Sequence, residues 1–435
     1  MSKRRYLVTF LMFLSVSVNY MDRVNFSVSI PAIRDTFHFD LQQIGLISFV
    51  WGIVYALFNF PGGWLVDRLG LRRALPFMLT WWSIFTILTP FARSLAGWCV
   101  VRGVMAAGEA PIWPINAKTA NTWAAPKERS TLYTWAGSGQ YVGPAIGAAL
   151  AALILVRFGW QWTFITFGIA GLVIAPIWYA IVRDRPAQDP KVNEAELNWI
   201  GNRERPNEPI DWNGVRDVFV SRTGVGMLLV YLTFGYILFT FINWVPTYLF
   251  DTFNMPILKS GLWSSAGAFL GLAGFIISGP FNDSLARHYD RLIARRIGAV
   301  APMIGAILCM GMSLLTARAG LGEVTALSIG LAQLFMNMTV GAWAVTIIDI
   351  APNQASTGFV YGIYNGVLNV MGAFNSLIIT RIAVDFGFPI AFASAIAFML
   401  VFIGSMLLIV DRPSYVRLTE KAAMVRASVQ PTMSA

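Results

Sequence analysis

Long apolar runs separated by short polar connections recur twelve times along the chain, at about 6–31, 44–66, 74–92, 95–122, 130–156, 160–182, 223–250, 258–282, 293–316, 321–349, 356–380 and 387–410. Runs of this kind approach or exceed the roughly 20 helical residues needed to cross about 30 Å of hydrocarbon. They do not alternate apolar with polar residues as barrel strands do, so the pattern predicts an all-α membrane protein of twelve transmembrane helices. The only long hydrophilic stretch divides the runs six and six. It predicts an N-terminal bundle at 1–182, a cytoplasmic linker at 183–222, a C-terminal bundle at 223–411 and a cytoplasmic tail at 412–435. Inside the linker, residues 192–203 interleave Glu194, Glu196, Asn198 and Arg203 with Leu197, Trp199 and Ile200, the pattern of a short surface helix.

The two halves echo each other. Arg157-Phe158-Gly159-Trp160 before run six is similar to Asp385-Phe386-Gly387-Phe388 before run twelve, at an offset of 228 residues. Gly62-Gly63-Trp64-Leu65-Val66-Asp67-Arg68 after run two has a weaker counterpart in Gly279-Pro280-Phe281-Asn282-Asp283 with Arg287, the aspartates standing 216 apart. Six-helix repeats with a site at their interface, near mid-membrane, are a transporter architecture.

Composition narrows the class further. At 56% hydrophobic and 12% charged, with a mean hydropathy of +0.61, the chain has too few polar groups to face water on all sides. With both termini placed in the cytoplasm, tails and even-numbered connections hold 23 Lys and Arg against 6 in the odd-numbered ones. That asymmetry predicts a multi-pass protein of the cell (inner) membrane with both termini inside. The net charge of +10 is thereby spread over many short loops, which excludes nucleic acid as a partner. Lys3-Arg4-Arg5 before an apolar run imitates a secretion signal, but the run is long and contains Asp22-Arg23, so it predicts a retained first span. Cys99 and Cys309 read as small buried hydrophobes, and His38 and His288 lack metal-ligand spacing. No phosphate loop is present, so ATP is not expected as the driving force. No cofactor, metal or enzymatic activity is expected, and a monomer is. Trp81-Trp82, Trp160, Trp162 and Trp178 read as interface anchors, and Gly137, Gly139, Gly143 and Gly147 as a surface for close helix packing.

Against this background the charges inside spans stand out. Asp22, Arg23, Arg102 and Glu109 lie in apolar runs, where a central charge costs about 2.5–3.5 kcal/mol unless paired, hydrated or bound to a substrate. Counted from the outer ends, Asp22 lies about 14 Å deep, Arg102 about 10 Å and Glu109 about 21 Å. Arg102 and Glu109 are seven apart, so one helix face carries both. A guanidinium presents a planar fork to a carboxylate, which makes Arg102 a candidate for a substrate's acid group. Arg23 is a second candidate or the partner of Asp22, and a structural ion pair between runs one and four is the alternative for both. Burial opposes ionisation of a carboxylate and a neighbouring arginine favours it. Asp22 and Glu109 are therefore proton-coupling candidates, released to bind a proton when an anion takes over the arginine. Tyr20, Tyr55 and Gln140 are candidates for substrate hydroxyls, with an interhelical bond the alternative for Tyr55. In the second half, Asn243-Trp244, Trp343, Asn365, Asn369 and Asn375 offer neutral groups; Trp343 with the pair Asn365 and Asn369 is the preferred set, and packing between helices is the alternative.

Gly62-Gly63-Trp64-Leu65-Val66-Asp67-Arg68-Leu69-Gly70-Leu71-Arg72-Arg73 resembles the loop signature of the major facilitator superfamily. Tyr20-Met21-Asp22-Arg23-Val24-Asn25, Arg102 with Gly108-Glu109-Ala110-Pro111, and Ser138-Gly139-Gln140-Tyr141-Val142-Gly143 resemble, more narrowly, the anion:cation symporter family. The resemblance implies two pseudo-symmetric bundles and proton-driven import of an organic anion by alternating access. The bacterial members carry sugar acids such as galactonate, glucarate and hexuronates, as well as tartrate and some aromatic acids; animal relatives carry sialic acid or glutamate. It implies binding and coupling roles for Asp22, Arg102 and Glu109, and gating between bundles for Asp67, Arg68, Arg72, Arg73 and Asp283. Asp349 reads similarly. Sodium-coupled or uncoupled transport of an organic or aromatic anion is the alternative on this fold. A receptor or sensor would need an extra domain that these connections do not hold.

Overall fold

The computed structural model describes residues 2–201 and 209–427. The first half contains α1 (Arg4–Phe37), α2 (Leu41–Leu69), α3 (Leu71–Leu88), α4 (Leu95–Glu109), α5 (Ile112–Trp123), α6 (Arg129–Gly137), α7 (Gly139–Phe158) and α8 (Trp160–Ile181). Two short helices, α9 (Glu194–Ile200) and α10 (Trp212–Val220), follow in the linker. The second half contains α11 (Arg222–Phe253), α12 (Ile257–His288), α13 (Arg291–Arg318), α14 (Gly322–Met338), α15 (Val340–Ile350), α16 (Thr357–Phe386) and α17 (Phe388–Gly404), and α18 (Arg412–Ala427) forms the tail. Taking α4–α5, α6–α7 and α14–α15 as single crossings gives twelve spans. Ten helical stretches among the described residues are long and apolar enough to cross a membrane; α4–α5 and α16 complete the set.

Three spans that read as unbroken in sequence are interrupted. Pro111, which has no N–H to give, separates α4 from α5. Ser138 and Thr339 interrupt the other two, each turning its hydroxyl onto a carbonyl of the preceding turn (Trp135 and Met336, both 2.7 Å). Elsewhere the ends follow local chemistry: a capping box of Asp40 and Gln43 opens α2. Gly159 and Gly387 open α8 and α17 at φ +91° and +87°, a region that favours glycine. The echo between runs six and twelve thus marks the same turn made twice.

In the first half α1 packs on α7 and α8, α3 on α8 and α4, and α2 on α4; in the second, α14 packs on α12 and α13, and α11 on α16 and α17. The halves meet along α2–α16, α5–α16, α6–α12 and α6–α15. Gly63 makes the closest approach possible, since a Cβ there would stand 2.2 Å from the Gly358 carbonyl oxygen. Several tryptophans depart from the anchor reading. Trp82 and Trp178 are fully buried and Trp160 nearly so, Trp178 donating to the Leu71 carbonyl at 2.9 Å, whereas Trp81 and Trp162 remain exposed. Their apolar area is used between helices of the first half.

The linker docks rather than loops. Glu196 of α9 accepts from the Arg4 and Arg5 backbone N–H groups (3.2 and 3.1 Å), from Arg5 Nη1 (3.0 Å) and from the Ser2 hydroxyl, capping the start of α1. The helix expected over 192–203 is observed at Glu194–Ile200, and Arg203 lies outside the described residues. Burial pushes the Glu196 carboxyl up, but the hydrogen bonds from Ser2, Arg5 and Arg4 outweigh it and hold the group below the usual carboxylate range. A depressed carboxyl stabilises the fold above its unfolded value, about 4.3, and loses that contribution as pH falls through the folded value. Glu196→Gln is expected to lower the melting midpoint, on a loss of about 2 kcal/mol, at pH 6–8 and progressively less below about pH 4. Thermal unfolding across that pH series checks it; an equal deficit at all pH values would contradict the charge-based account.

Candidate functional site

The middle of α1 and the end of α4 bring the intramembrane charges together. Asp22, Arg102 and Glu109 are sealed, at 1%, 3% and 0% exposure, while the Arg23 side chain keeps 23% of its surface accessible. α2 supplies the surround. Trp51 and Tyr55, one turn apart, stack at 5.2 Å between centroids, and the Arg23 guanidinium lies over Tyr20, Tyr55 and Trp51 at 4.2, 4.6 and 4.9 Å. Arg23 Nη2 donates to Asn19 Oδ1 at 3.3 Å, and its Nε stands 4.0 Å from Glu109 Oε2. That same oxygen accepts from Trp51 Nε1 at 3.2 Å. Arg102 lies over the Phe26 ring at 4.4 Å and directs Nη1 at the Met105 sulfur at 3.6 Å.

Two guanidiniums and two carboxylates make a formally neutral set with few hydrogen bonds. Both Asp22 oxygens, Glu109 Oε1 and the Nε atoms of Arg23 and Arg102 have no hydrogen-bond partner. Buried charges hold their form only when paired and hydrogen-bonded, so a loosely paired set is suited to exchanging an internal partner for an incoming anion or a proton. Of the two arginines, Arg23 retains accessible surface and a fork not committed to a carboxylate, whereas Arg102 is enclosed.

The remaining sequence candidates divide. Tyr55 belongs to the ring cage. Tyr20 also accepts from Trp113 Nε1 at 3.2 Å. From Trp113 a run of aromatic rings crosses between halves, through Tyr133 (6.1 Å), the Tyr133–Tyr361 hydroxyl contact and Tyr231 (6.1 Å), to Trp343 (4.5 Å). Trp343 is therefore set back in the second half, its indole N–H bonded to Thr339 at 3.1 Å. Asn365 donates to Asn59 Oδ1 across the halves at 2.7 Å, and Asn369 donates to the Asn365 carbonyl at 2.7 Å. Gln140, at the start of α7, is partly exposed, while its neighbour Tyr141 donates to Asn337 Oδ1 across the halves at 2.7 Å. Asn375 ties α16 to Tyr236 and Thr240 of α11.

The gating candidates divide as well. Asp67, ending α2, accepts from the Gly358 and Phe359 N–H groups at the start of α16 (3.0 and 2.6 Å) and from Lys118 Nζ at 2.8 Å. Asp283, near the end of α12, accepts from Ser130 and Thr131 N–H at the start of α6 (3.2 and 2.7 Å) and from the Thr131 hydroxyl at 2.6 Å. Each aspartate thus caps a helix N-terminus of the opposite half, where its charge meets the positive end of the dipole. Arg68 and Arg72 do not join this seam: Arg68 lies over Trp64 of its own helix at 5.2 Å, and Arg72 lies over Tyr179 of α8 at 4.5 Å. Asp349 does join it, pairing with Arg129 and Arg295 at 3.1 Å each. Asp67→Ala removes two backbone bonds and the carboxylate beside Lys118, a change worth about 3–5 kcal/mol for a buried pair. Spin labels at exposed positions 73 and 287 are expected to gain a longer-distance population in that variant; an unchanged distance distribution would contradict the seam's role.

Sequence reasoning missed Trp51, Asn59 and the partners of Asp349, and it read the buried Trp82 as an interface anchor. Trp51 had one available signal, its position four residues before Tyr55 on the same helical face. No group of three or more His, Cys, Asp or Glu that could hold a metal occurs among the described residues.

Comparison with known proteins places this geometry in context. Residues 12–374 match the model of the Major Facilitator Superfamily. The probable galactarate/D-glucarate transporter GudP of Escherichia coli (strain K12) is 28% identical over 404 residues, 88% of this chain and 86% of that protein. The probable L-galactonate transporter of Escherichia coli (strain K12) is 28% identical over 377 residues, covering 86% and 82%. Among solved structures, the proton:xylose symporter XylE bound to 6-bromo-6-deoxy-D-glucose superposes with a TM-score of 0.74 at 14% identity, covering 97% of this chain and 98% of that one, a likeness of fold.

Proposed function

Because the chain belongs to the Major Facilitator Superfamily, whose members move solutes across membranes and are not enzymes, we propose that it imports a sugar acid by proton symport through alternating access. The observation that carries this reading is the incompletely bonded set of Asp22, Arg23, Arg102 and Glu109 in the interior of the first half. Arg23 receives the substrate carboxylate, held for it by the rings of Tyr20, Trp51 and Tyr55, and Arg102 stabilises the buried anions behind it. Glu109, 4.0 Å from Arg23, loses its cationic neighbour to the substrate and takes up a proton, with Asp22 as the second proton site. Tyr20, Tyr55, Gln140, Asn365 and Asn369 are assigned to the hydroxyl groups, and Trp343 to the wall of the second half.

The bundles at 1–182 and 223–411 rock about this site, with 183–222 joining them and 412–435 as tail. The end that carries Asp67, Asp283 and Asp349 faces the cytoplasm with both termini, and the protein works as a monomer in the inner membrane. The relatives' names, probable galactarate/D-glucarate transporter and probable L-galactonate transporter, favour an aldonate, aldarate or uronate as cargo. The reading is tested in proteoliposomes by imposing pH and sodium gradients independently against a panel of aldonates, aldarates, uronates and aromatic acids. Accumulation of a sugar acid driven by the pH gradient alone is expected. Accumulation that follows sodium, or an aromatic acid as the sole cargo, would overturn it.

A further inference from the structure

The last membrane-crossing stretch ends at Ile409, and its final turn directs Leu407 and Leu408 outward at 44% and 73% exposure. Apolar side chains so exposed at the end of a span face acyl chains, which puts the edge of the hydrocarbon at this turn. α18 starts three residues on, at Arg412, and so lies at the depth of the phospholipid headgroups. One face of α18 is docked. Ser414, Tyr415, Leu418 and Ala422 are buried, Tyr415 donates to Asp349 Oδ2 at 3.4 Å, and Lys421 pairs with Asp217 of α10 at 2.5 Å. The opposite face is thereby held in a fixed orientation.

That outward face carries Arg412, Pro413, Val416, Arg417, Glu420 and Lys421, pairs at four-residue spacing that line a groove of about 500 Å³. Other cations at this edge are engaged. Arg222 pairs with Asp411 at 3.8 Å, and Arg296 donates to the Met406, Leu407 and Val410 carbonyls at 3.2, 3.2 and 2.6 Å. Arg412 and Arg417 are exposed and form no ion pair or hydrogen bond among the described residues. Asp217, an acid that attracts Arg417, is already held by Lys421.

We propose that this face binds the headgroup of an anionic phospholipid. The phosphodiester lies between Arg412 and Arg417, the glycerol backbone covers Pro413 and Val416, and the acyl chains run past Leu407 and Leu408. The groups present select this occupant. A guanidinium offers a planar fork to phosphate oxygens, the apolar pair between the arginines suits an amphiphile better than a free anion, and the hydrocarbon edge accommodates its tails. Glu420 in the same groove repels a phosphate monoester, which carries nearly two charges, and accepts from a hydroxyl. A singly charged phosphodiester with a hydroxylated headgroup, as in phosphatidylglycerol, meets both demands. The site stands apart from the cargo position and does not depend on the symport reading.

The test is titration of the full-length protein in detergent with phosphatidylglycerol, phosphatidic acid, phosphatidylcholine and glycerol phosphate, read by native mass spectrometry. Phosphatidylglycerol is expected to bind in preference to the others. Its apparent affinity is expected to fall about 30-fold in the double variant Arg412→Gln with Arg417→Gln. It is expected to hold in Lys191→Gln with Arg287→Gln, which removes the same charge from exposed positions elsewhere. All four positions are exposed, so both variants are expected to fold. No loss in the α18 variant, or an equal loss in both, would overturn the site. Phosphatidic acid binding as tightly as phosphatidylglycerol would overturn the headgroup assignment, and glycerol phosphate doing so would overturn a lipid as the occupant.

Discussion

Arg23→Lys is expected to reduce sugar-acid uptake efficiency by about 10- to 100-fold, and Arg23→Ala by about a further tenfold, in initial-rate measurements across substrate concentration. Lysine keeps the charge, so the deficit isolates what the guanidinium adds. Its planar fork can lie between the faces of Tyr20, Tyr55 and Trp51, at 4.2–4.9 Å, and still present two parallel N–H groups to a carboxylate. An ammonium on a flexible stem loses the fork and most of the stacking, each stack being worth about 0.5–2 kcal/mol depending on its desolvation. On the proposed cycle Arg23 leaves Glu109, and the π faces would stabilise its charge in the empty state without consuming its donors. The corresponding change at enclosed Arg102 is expected to impair folding or coupling before it raises KM. Uptake by Arg23→Lys within twofold of wild type would remove Arg23 from the substrate position.

Glu109→Gln is expected to abolish accumulation driven by a pH gradient, with the internal to external ratio falling to about one, while exchange of external for internal sugar acid persists at a measurable rate. Glutamine keeps the shape, and its amide oxygen can still accept from Trp51, whose bond to Glu109 is 3.2 Å. What it loses is the ability to trade a proton for the Arg23 charge, and with it the linkage between proton and substrate binding. A ligand shifts such an equilibrium only through its differential affinity for the two states, and a neutral side chain offers none to the proton. Counterflow and gradient-driven uptake, measured on one preparation, separate the two effects. Continued concentrative uptake by this variant would place proton coupling elsewhere.

The fold was legible because spans and loops are properties of runs of residues, and twelve runs left few alternatives. The interruptions at Pro111, Ser138 and Thr339 were not, since hydropathy averages over a whole crossing while one residue decides a bend. The charged residues of the site were visible for the same reason that makes them costly: charge inside an apolar run is conspicuous. Their roles were less visible. Arg102 and Arg23 have the same chemistry in sequence, and only the ring cage distinguishes the accessible one from the enclosed one. Trp82 and Trp178 look like interface anchors in sequence, and only their burial shows otherwise, while Trp51, which donates to Glu109, carried no charge to mark it. Arg68 and Arg72 share a motif with Asp67, yet only the aspartate reaches the other half, a matter of which way each side chain leaves its helix.

The most direct measurement of the central claim is proton entry triggered by sugar acid, recorded with a pH dye trapped in sodium-free proteoliposomes with no gradient imposed. The account requires internal acidification that begins with substrate addition, scales with uptake, and disappears in Asp22→Asn and Glu109→Gln. Entry of the sugar acid with no accompanying proton in the wild-type protein, or acidification undiminished in both variants, would contradict it.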